Sequence, residues 1–468
     1  MISRRLVSMA AALVLFSLTV YFMGPLTRSL VDSFWLGPGV TETIGLLPWA
    51  DADKSSIVQH EAMALPDILP VFGSSELRSG HGFAPGVVFM DKPTGFATFY
   101  MGGAWFQCLP HLIELAGQKD LTNRKLVVLL PTDWFFNGLS APNFARNFSP
   151  LDVYQMLFSP GLPAPLRQAV VKRILQYSQV ADKDRVLDLF LKSYINGNGD
   201  WQTDLVHLAL WPVARLDFAS LQLQDCLVTI KDIRKVNPKI IAGNSRAGLV
   251  IHQIPWSDLR SRAIQQGKSA ITNNYGVDNG FLPKVVTPET MDSQRKTQMD
   301  KSPEYQDLTL LLRVLKAKGA RPLFIILPFN GPYRDFTGLP VSQRQEHYRR
   351  LRQLISHYGY PFVDLSSQEY QPYYFNDTIH LSGRAWVDID EILDDFYHNQ
   401  LVLVNHVPTF ISAAPGPNVD KSPAVPETPQ PYEKPRPVPP PSPNGRPQTG
   451  PPHGGVNNPT EASRKVKV

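Results

Sequence analysis

Two short motifs about three hundred positions apart hold the side chains that acyl transfer needs: Gly73-Ser74-Ser75-Glu76, after an apolar run, and Asp377-Thr378-Ile379-His380. A serine hydroxyl is a weak nucleophile at neutral pH. An imidazole must take its proton, and a carboxylate on the far ring nitrogen must fix the tautomer. Each motif also has a plain structural reading. Gly-Ser-Ser suits a turn or a helix cap made by Ser74 or Ser75, and Asp377 suits a turn beside a loop histidine. The sequence contains no HExxH and no paired Cys/His spacing. Asp377 with His380 offers only two ligands, so neither a metal nor another cofactor is expected.

The elements around these motifs have an α/β pattern. Short apolar runs at Ile68 to Phe72, Thr98 to Met101, Lys125 to Leu130, Pro322 to Leu327 and Phe362 to Leu365 end at polar or glycine-rich turns and read as buried strands. Helical periodicity lies between or after them at Phe106 to Ala116, Tyr305 to Ala317, Ser342 to His357 and Gly383 to Tyr397. That alternation predicts a mainly parallel sheet with crossover helices, whose ligands gather outside the carboxyl ends of the strands. The two motifs lie at such ends. Residues 149–235 carry long amphipathic patterns and little strand signal, and read as a helical insertion; residues 236–300 read as irregular.

Leu6 to Met23 is an uncharged, predominantly apolar stretch preceded by Arg4 and Arg5, close to the ~20 residues a membrane-spanning helix needs. Without a small-x-small cleavage site closing the run, it reads as a retained signal anchor. The basic residues before it favour a cytoplasmic N-terminus and an exported body. From Pro408 onward, 17 of the chain's 43 prolines fall within the last 61 residues, which predicts an extended or disordered tail. The expected organisation is an anchor over 1–28, an α/β domain over 29–405 and a Pro-rich tail over 406–468. At 468 residues and 43% hydrophobic content the chain can bury a substantial core. A net charge of +5 without a clustered basic motif gives no support for nucleic-acid binding and suits a polyanionic polymer or an anionic lipid surface better. Cys108 and Cys226 read equally as one bridge or as two buried thiols.

Four segments together carry a resemblance: Phe72-Gly73-Ser74-Ser75-Glu76-Leu77, Pro131-Thr132-Asp133-Trp134-Phe135, Leu327-Pro328-Phe329-Asn330-Gly331, and Tyr374-Phe375-Asn376-Asp377-Thr378-Ile379-His380 with Trp386. Their order resembles the SGNH or GDSL hydrolase superfamily, with its serine in the first block and DxxH in the last. Within that superfamily the chain is similar to the DltD family over roughly residues 1–400. The resemblance implies an SGNH-like three-layer fold with a central, mainly parallel sheet. It implies Ser75 as nucleophile, His380 as base and Asp377 as its partner. Gly102 or Gly103 would supply an oxyanion N–H, and Trp134 and Asn330 would face the substrate. The hydrolase GxND asparagine is absent from the third block, where losing one oxyanion donor costs ~10²- to 10³-fold in hydrolysis.

Membership of such a family implies D-alanyl transfer to an envelope polymer, lipoteichoic acid or an analogous anionic glycan. The implied partners are a D-alanyl donor (a carrier protein or a membrane acyl intermediate), the polymer acceptor, a membrane-bound acyltransferase and the membrane lipid around a single-pass anchor in the cell membrane. Two other readings use the same residues. One is an extracytoplasmic esterase or thioesterase that passes the acyl group to water; the other is a noncatalytic scaffold for a membrane acyltransferase.

Overall fold

A computed structural model describes residues 2–46, 56–78, 81–196, 201–235, 251–404 and 407–408. Five strands form one sheet: β1 (Ile68–Gly73), β2 (Ala97–Gly102), β3 (Lys125–Leu130), β4 (Arg321–Ile326) and β5 (Phe362–Asp364). Their order is β2-β1-β3-β4-β5 and every pairing is parallel. All five follow the apolar runs read from the sequence. The order runs outward in both directions from β1, so the connections diverge between β1 and β3. That is the switch point where a doubly wound sheet leaves a crevice beyond its carboxyl edge.

Alternate residues of each strand feed two separate cores, because side chains in a strand point to opposite faces in turn. Phe72, Val128, Leu130, Phe324 and Ile326 join one core; Leu69, Val71, Val127, Leu129, Leu323 and Ile325 join the other. The first face is covered by α5 (Cys108–Gly117), α14 (Glu304–Ala317) and α16 (Val341–His357). The second is covered by α4 (Pro85–Asp91), α12 (Trp256–Ala270) and α17 (Gly383–Tyr397). The fold is therefore α/β, with helices on both faces of a buried parallel sheet.

Between β3 and β4 the described residues contain only helices, including α6 (Ala141–Asn147), α7 (Pro150–Phe158), α8 (Ala164–Ile174), α9 (Gln179–Lys183), α10 (Arg185–Asn196) and α11 (Trp201–Lys235). A buried bidentate pair joins this layer to a helix that covers the sheet: Arg173 on α8 donates through Nε and Nη2 to Asp307 on α14 at 2.7 and 2.9 Å. One helix departs from the sequence reading. Trp256–Ala270 lies in the stretch read as irregular; its inward stripe, Leu259, Ala263 and Gly267, has helical spacing, but two of the three residues are too small to mark it as apolar. The rest of that stretch includes α13 (Leu282–Val285), while 236–250 lie outside the described residues, as does the Pro-rich tail beyond 408.

The first helix, α1 (Ile2–Phe34), is longer than the apolar run suggested. Val7–Val31 is long and apolar enough to cross a membrane, with a mean hydropathy of 1.9, and is the one such helix among the described residues. It is followed by α2 (Pro38–Leu46) and α3 (Ser56–Ala64). Cys108 and Cys226 are both buried, and they do not form a disulfide with one another.

Candidate active site at the carboxyl edge of the sheet

β1 ends at Gly73, and the chain turns at once into a single 3-10 turn over Ser75–Arg78. The turn is held from inside. The Ser74 N–H donates to Glu76 Oε1 at 2.6 Å, and Ser74 Oγ donates to the Gly103 carbonyl at 3.0 Å. Beneath it, His111 on α5 donates from Nε2 to the Gly73 carbonyl at 2.9 Å. Burial pushes the His111 pKa down to about 3, so this ring is a neutral prop. Ser74 is buried, which leaves Ser75 as the hydroxyl at the rim.

Next to this turn β2 must come very close. Gly102 pairs with Gly73 and has φ +145°, and a Cβ there would fall 1.9 Å from the Gly73 carbonyl oxygen. Only glycine fits. Gly103 lies one residue past the strand, under the Arg78 guanidinium, which a side chain there would displace.

The second motif forms a closed loop after β5. A bridge between Phe375 and Leu381 and a hydrogen bond from Asn376 N to His380 O at 2.8 Å fix its stem. Asp377 Oδ1 accepts from the Ile379 and His380 N–H groups at 2.8 and 2.7 Å, while Oδ2 accepts from His380 Nδ1 at 2.7 Å. One carboxylate thus makes both the turn and the imidazole contact. Ser382 caps α17, accepting from Arg384 N at 3.2 Å, and buried Trp386 anchors that helix in the core.

The two loops meet. His380 Nε2 lies 2.8 Å from Ser75 Oγ. A carboxylate only accepts, so Nδ1 carries the proton and Nε2 is left to accept from the serine hydroxyl. The Asp377 hydrogen bond, with further help from the Asp377, Glu76 and Asp133 charges, raises the His380 pKa against the opposing effect of burial. At Asp377 burial opposes ionisation, but the His380 and Ile379 hydrogen bonds outweigh it and hold the carboxyl below its ordinary range. Glu76 is buried behind the serine, and desolvation pushes its pKa up to about 7. Burial likewise raises Asp133, opposed by its ion pair with Arg334.

Two expected site residues, Trp134 and Asn330, are buried. Trp134 is only 3% exposed and packs in the core with its ring 6.0 Å from that of His111, because the turn after β3 directs it under the sheet edge. It supports the prop and presents no face to a ligand. Asn330 is 2% exposed, and its amide is fully engaged: Nδ2 donates to the Gly276 and Asp377 carbonyls, each at 3.2 Å, while Oδ1 accepts from Tyr333 N at 3.3 Å. As the cap of α15 (Gly331–Phe336) it ties the Asp377 loop to the end of β4. That makes it a positioning residue.

Four residues around the site were not singled out from sequence. Glu76, Arg78 and His111 are ordinary helix residues by pattern; Arg334 lies about two hundred positions from Asp133. Only the charged Glu next to Ser75, in a turn about to be buried, offered a signal.

Comparison with known proteins gives the chain a family. The family model described as DltD protein matches residues 50–398, a stretch that contains both loops. "Protein DltD" of Bacillus subtilis (strain 168) is 30% identical over 345 residues, 73% of this chain and 85% of the relative. The protein of the same name from Lacticaseibacillus rhamnosus is 28% identical over 353 residues, 74% and 81% of the two chains. That of Staphylococcus aureus (strain NCTC 8325 / PS 47) is 25% identical over 346 residues, 72% and 83%. With three quarters of its length aligned to these relatives and its whole sheet inside the matched region, the chain belongs to the DltD family.

Proposed function

We propose that this protein transfers D-alanyl groups to an envelope polymer through an acyl-enzyme on Ser75. The observation that carries the reading is the chain Asp377–His380–Ser75, with contacts of 2.7 and 2.8 Å, at the switch point of the sheet in a member of the DltD family. His380 Nε2 takes the Ser75 proton as Oγ attacks the carbonyl carbon of a D-alanyl ester or thioester. The tetrahedral oxyanion is met by the Ser75 N–H and by the Gly103 or Gly102 N–H. Collapse expels the donor's alcohol or thiol, which leaves with the proton held on His380. A polymer hydroxyl then gives its proton to His380 and attacks the D-alanyl-Ser75 ester. Collapse of this second intermediate returns the proton to Ser75 Oγ and releases the polymer-linked ester.

The acceptor fits lipoteichoic acid or an analogous anionic glycan, and the donor a carrier protein or a membrane acyl intermediate made by a membrane-bound acyltransferase. In this reading α1 is a single-pass anchor with its N-terminus in the cytoplasm, residues 29–405 work outside the membrane and the Pro-rich segment is a spacer. The GxND asparagine of the hydrolases is absent from Pro131-Thr132-Asp133-Trp134-Phe135, so one oxyanion donor of an efficient hydrolase is missing. Ester-linked D-alanine should be measured on envelopes of cells lacking the protein and of cells carrying Ser75→Ala. Loss in both supports the proposal; normal ester content in the Ser75→Ala cells would leave a noncatalytic scaffold. Release of free D-alanine by the purified protein with no polymer-linked ester would leave an esterase.

A further inference from the structure

A D-alanyl group differs from a plain acyl group in one feature a site can read: its α-carbon carries an ammonium, two bonds from the carbonyl carbon that Ser75 attacks. A carboxylate beside the serine turn would recognise it, and three stand near His380 among the described residues: Asp377, Glu76 and Asp133. Two of them are spent. Asp377 holds two N–H groups on Oδ1 and the imidazole on Oδ2, and Glu76 is buried with Oε1 on the Ser74 N–H. The Asp133 side chain is 26% exposed. Its Oδ1 accepts from Arg334, and its Oδ2 accepts no hydrogen bond among the described residues.

The sheet order sets Asp133 across Ser75 from the glycines that offer an oxyanion N–H. β1 lies between β2 and β3. On the β2 side Gly73 pairs with Gly102, and Gly103 lies under the Arg78 guanidinium. On the β3 side Phe72 pairs with Val128, and counting on along both chains brings Ser75 level with Pro131, at the start of the turn Thr132–Phe135 that carries Asp133. The Asp133 charge raises the pKa of both His380 and Glu76, as a close neighbour's does. Its partner Arg334 belongs to α15, whose cap Asn330 donates to the Asp377 carbonyl, so Asp133 is tied to the catalytic loop as well. Arg334 itself is withdrawn from the site: it is buried over the rings of Phe136, Phe329 and Tyr333 and donates to Gln294. It fixes Oδ1 and leaves Oδ2 for a second cation. Backbone N–H groups and a guanidinium on one side of Ser75, with a carboxylate on the other, match an acyl group whose oxygen turns negative while its α-nitrogen stays positive.

We propose that Asp133 Oδ2 is the specificity-determining contact of this site and receives the α-ammonium of the acyl group, while the Ser75 N–H and the Gly102 or Gly103 N–H receive its oxygen. The inference rests on the D-alanyl reading above and deepens it: the site selects aminoacyl groups over plain acyl groups.

The test uses the full chain in detergent with two thioesters, D-alanyl and propionyl, which differ by the ammonium alone. After correction for their rates in buffer, wild-type kcat/KM for thiol release should favour the D-alanyl compound by ~10-fold or more, the scale of a charge-assisted hydrogen bond. Asp133→Asn keeps the shape and removes the charge, and should erase most of that ratio. A binding arm needs no turnover: by ligand-detected NMR, Ser75→Ala should bind D-alaninamide in preference to propionamide, and adding Asp133→Asn should abolish the preference. A wild-type ratio near that of the buffer reaction, or no preference in binding, would overturn the proposal. An equal fall for both thioesters in Asp133→Asn would also overturn it, reducing Asp133 to a support for Arg334. Preference in binding together with normal envelope D-alanylation in Ser75→Ala cells would overturn the Ser75 acyl-enzyme and leave the ammonium contact standing.

Discussion

At the carboxyl edge of the sheet Asp377 faces His380 and Asp133 faces Arg334, whereas in the helical layer beside α1 Arg167 and Arg215 face only rings, a hydroxyl and carbonyls. The first arrangement is closed. Turns, caps and buried props leave Ser75 one imidazole at 2.8 Å and little freedom to move from it. The second is more open, with apolar side chains turned outward and its two guanidinium groups set on rings, a hydroxyl and carbonyls. The contrast teaches that a site for chemistry is built by committing its polar groups to one another, while a packing layer can hold its cations on rings and carbonyls without a carboxylate.

The largest effect expected is on Ser75. Ser75→Ala should lower the rate of acyl transfer by as much as ~10⁶-fold, the scale of removing a triad serine, with no change in melting temperature. Steady-state transfer and thermal melts check both halves. Asp377→Asn should cost ~10⁴-fold, because an amide can present its N–H to Nδ1 and stabilise the wrong tautomer. It should also move the pH profile. His380 must be neutral to accept the serine proton, so activity falls as pH drops through its folded pKa, which lies above the ordinary 6.5 and depends first on Asp377. The acid limb of kcat/KM should sit above that value in the wild type and shift down in the variant. A limb that does not move would detach Asp377 from the imidazole.

Stability carries its own signs. The raised His380 pKa contributes stability present below its unfolded value and lost as pH rises through the folded one; the lowered Asp377 pKa contributes stability present above the ordinary carboxylate range and lost as pH falls. Glu76, raised from 4.5 to about 7, favours the fold below 4.5 and loses that contribution on the way to 7. Glu76→Gln keeps an acceptor for the Ser74 N–H and removes the charge. It should flatten the fall in stability between pH 5 and pH 8 by at most about 3 kcal/mol, read from denaturant unfolding at each pH.

Asn330→Ala leaves the Tyr333 N–H without its side-chain acceptor and frees the Asp377 loop from β4. It should cost about 1–3 kcal/mol of stability and lower kcat with little change in KM. The smallest effect belongs to the open region: the Arg167→Ala/Arg215→Ala double variant should leave hydrolysis of a soluble ester by Ser75 unchanged. A large loss there would join the two regions that the structure keeps apart.

Much of the fold was legible because its strands are buried on both faces and so read as unbroken apolar runs, from Ile68 to Phe72 through Phe362 to Leu365. The helix at Trp256–Ala270 was not, since two of the three residues on its inward stripe, Ala263 and Gly267, are too small to stand out as apolar. In the site, the two motifs were visible as short spacings, but Ser75 rather than Ser74, with His380 and Asp377, came from the resemblance and not from spacing. Trp134 and Asn330 were assigned outward roles because sequence position gives proximity to a strand end but not the side on which a side chain packs. Arg334 and His111 act across long separations, His111 through a backbone carbonyl, and neither leaves a local trace.

The most direct test of the central claim is to incubate the purified full-length protein with a D-alanyl thioester, quench with acid and map the modified peptide by mass spectrometry. A D-alanyl ester on Ser75 that forms in the wild type, is absent from Ser75→Ala and chases onto an added polymer hydroxyl is the expected result. D-alanylation of the polymer proceeding at the same rate with Ser75→Ala would contradict it.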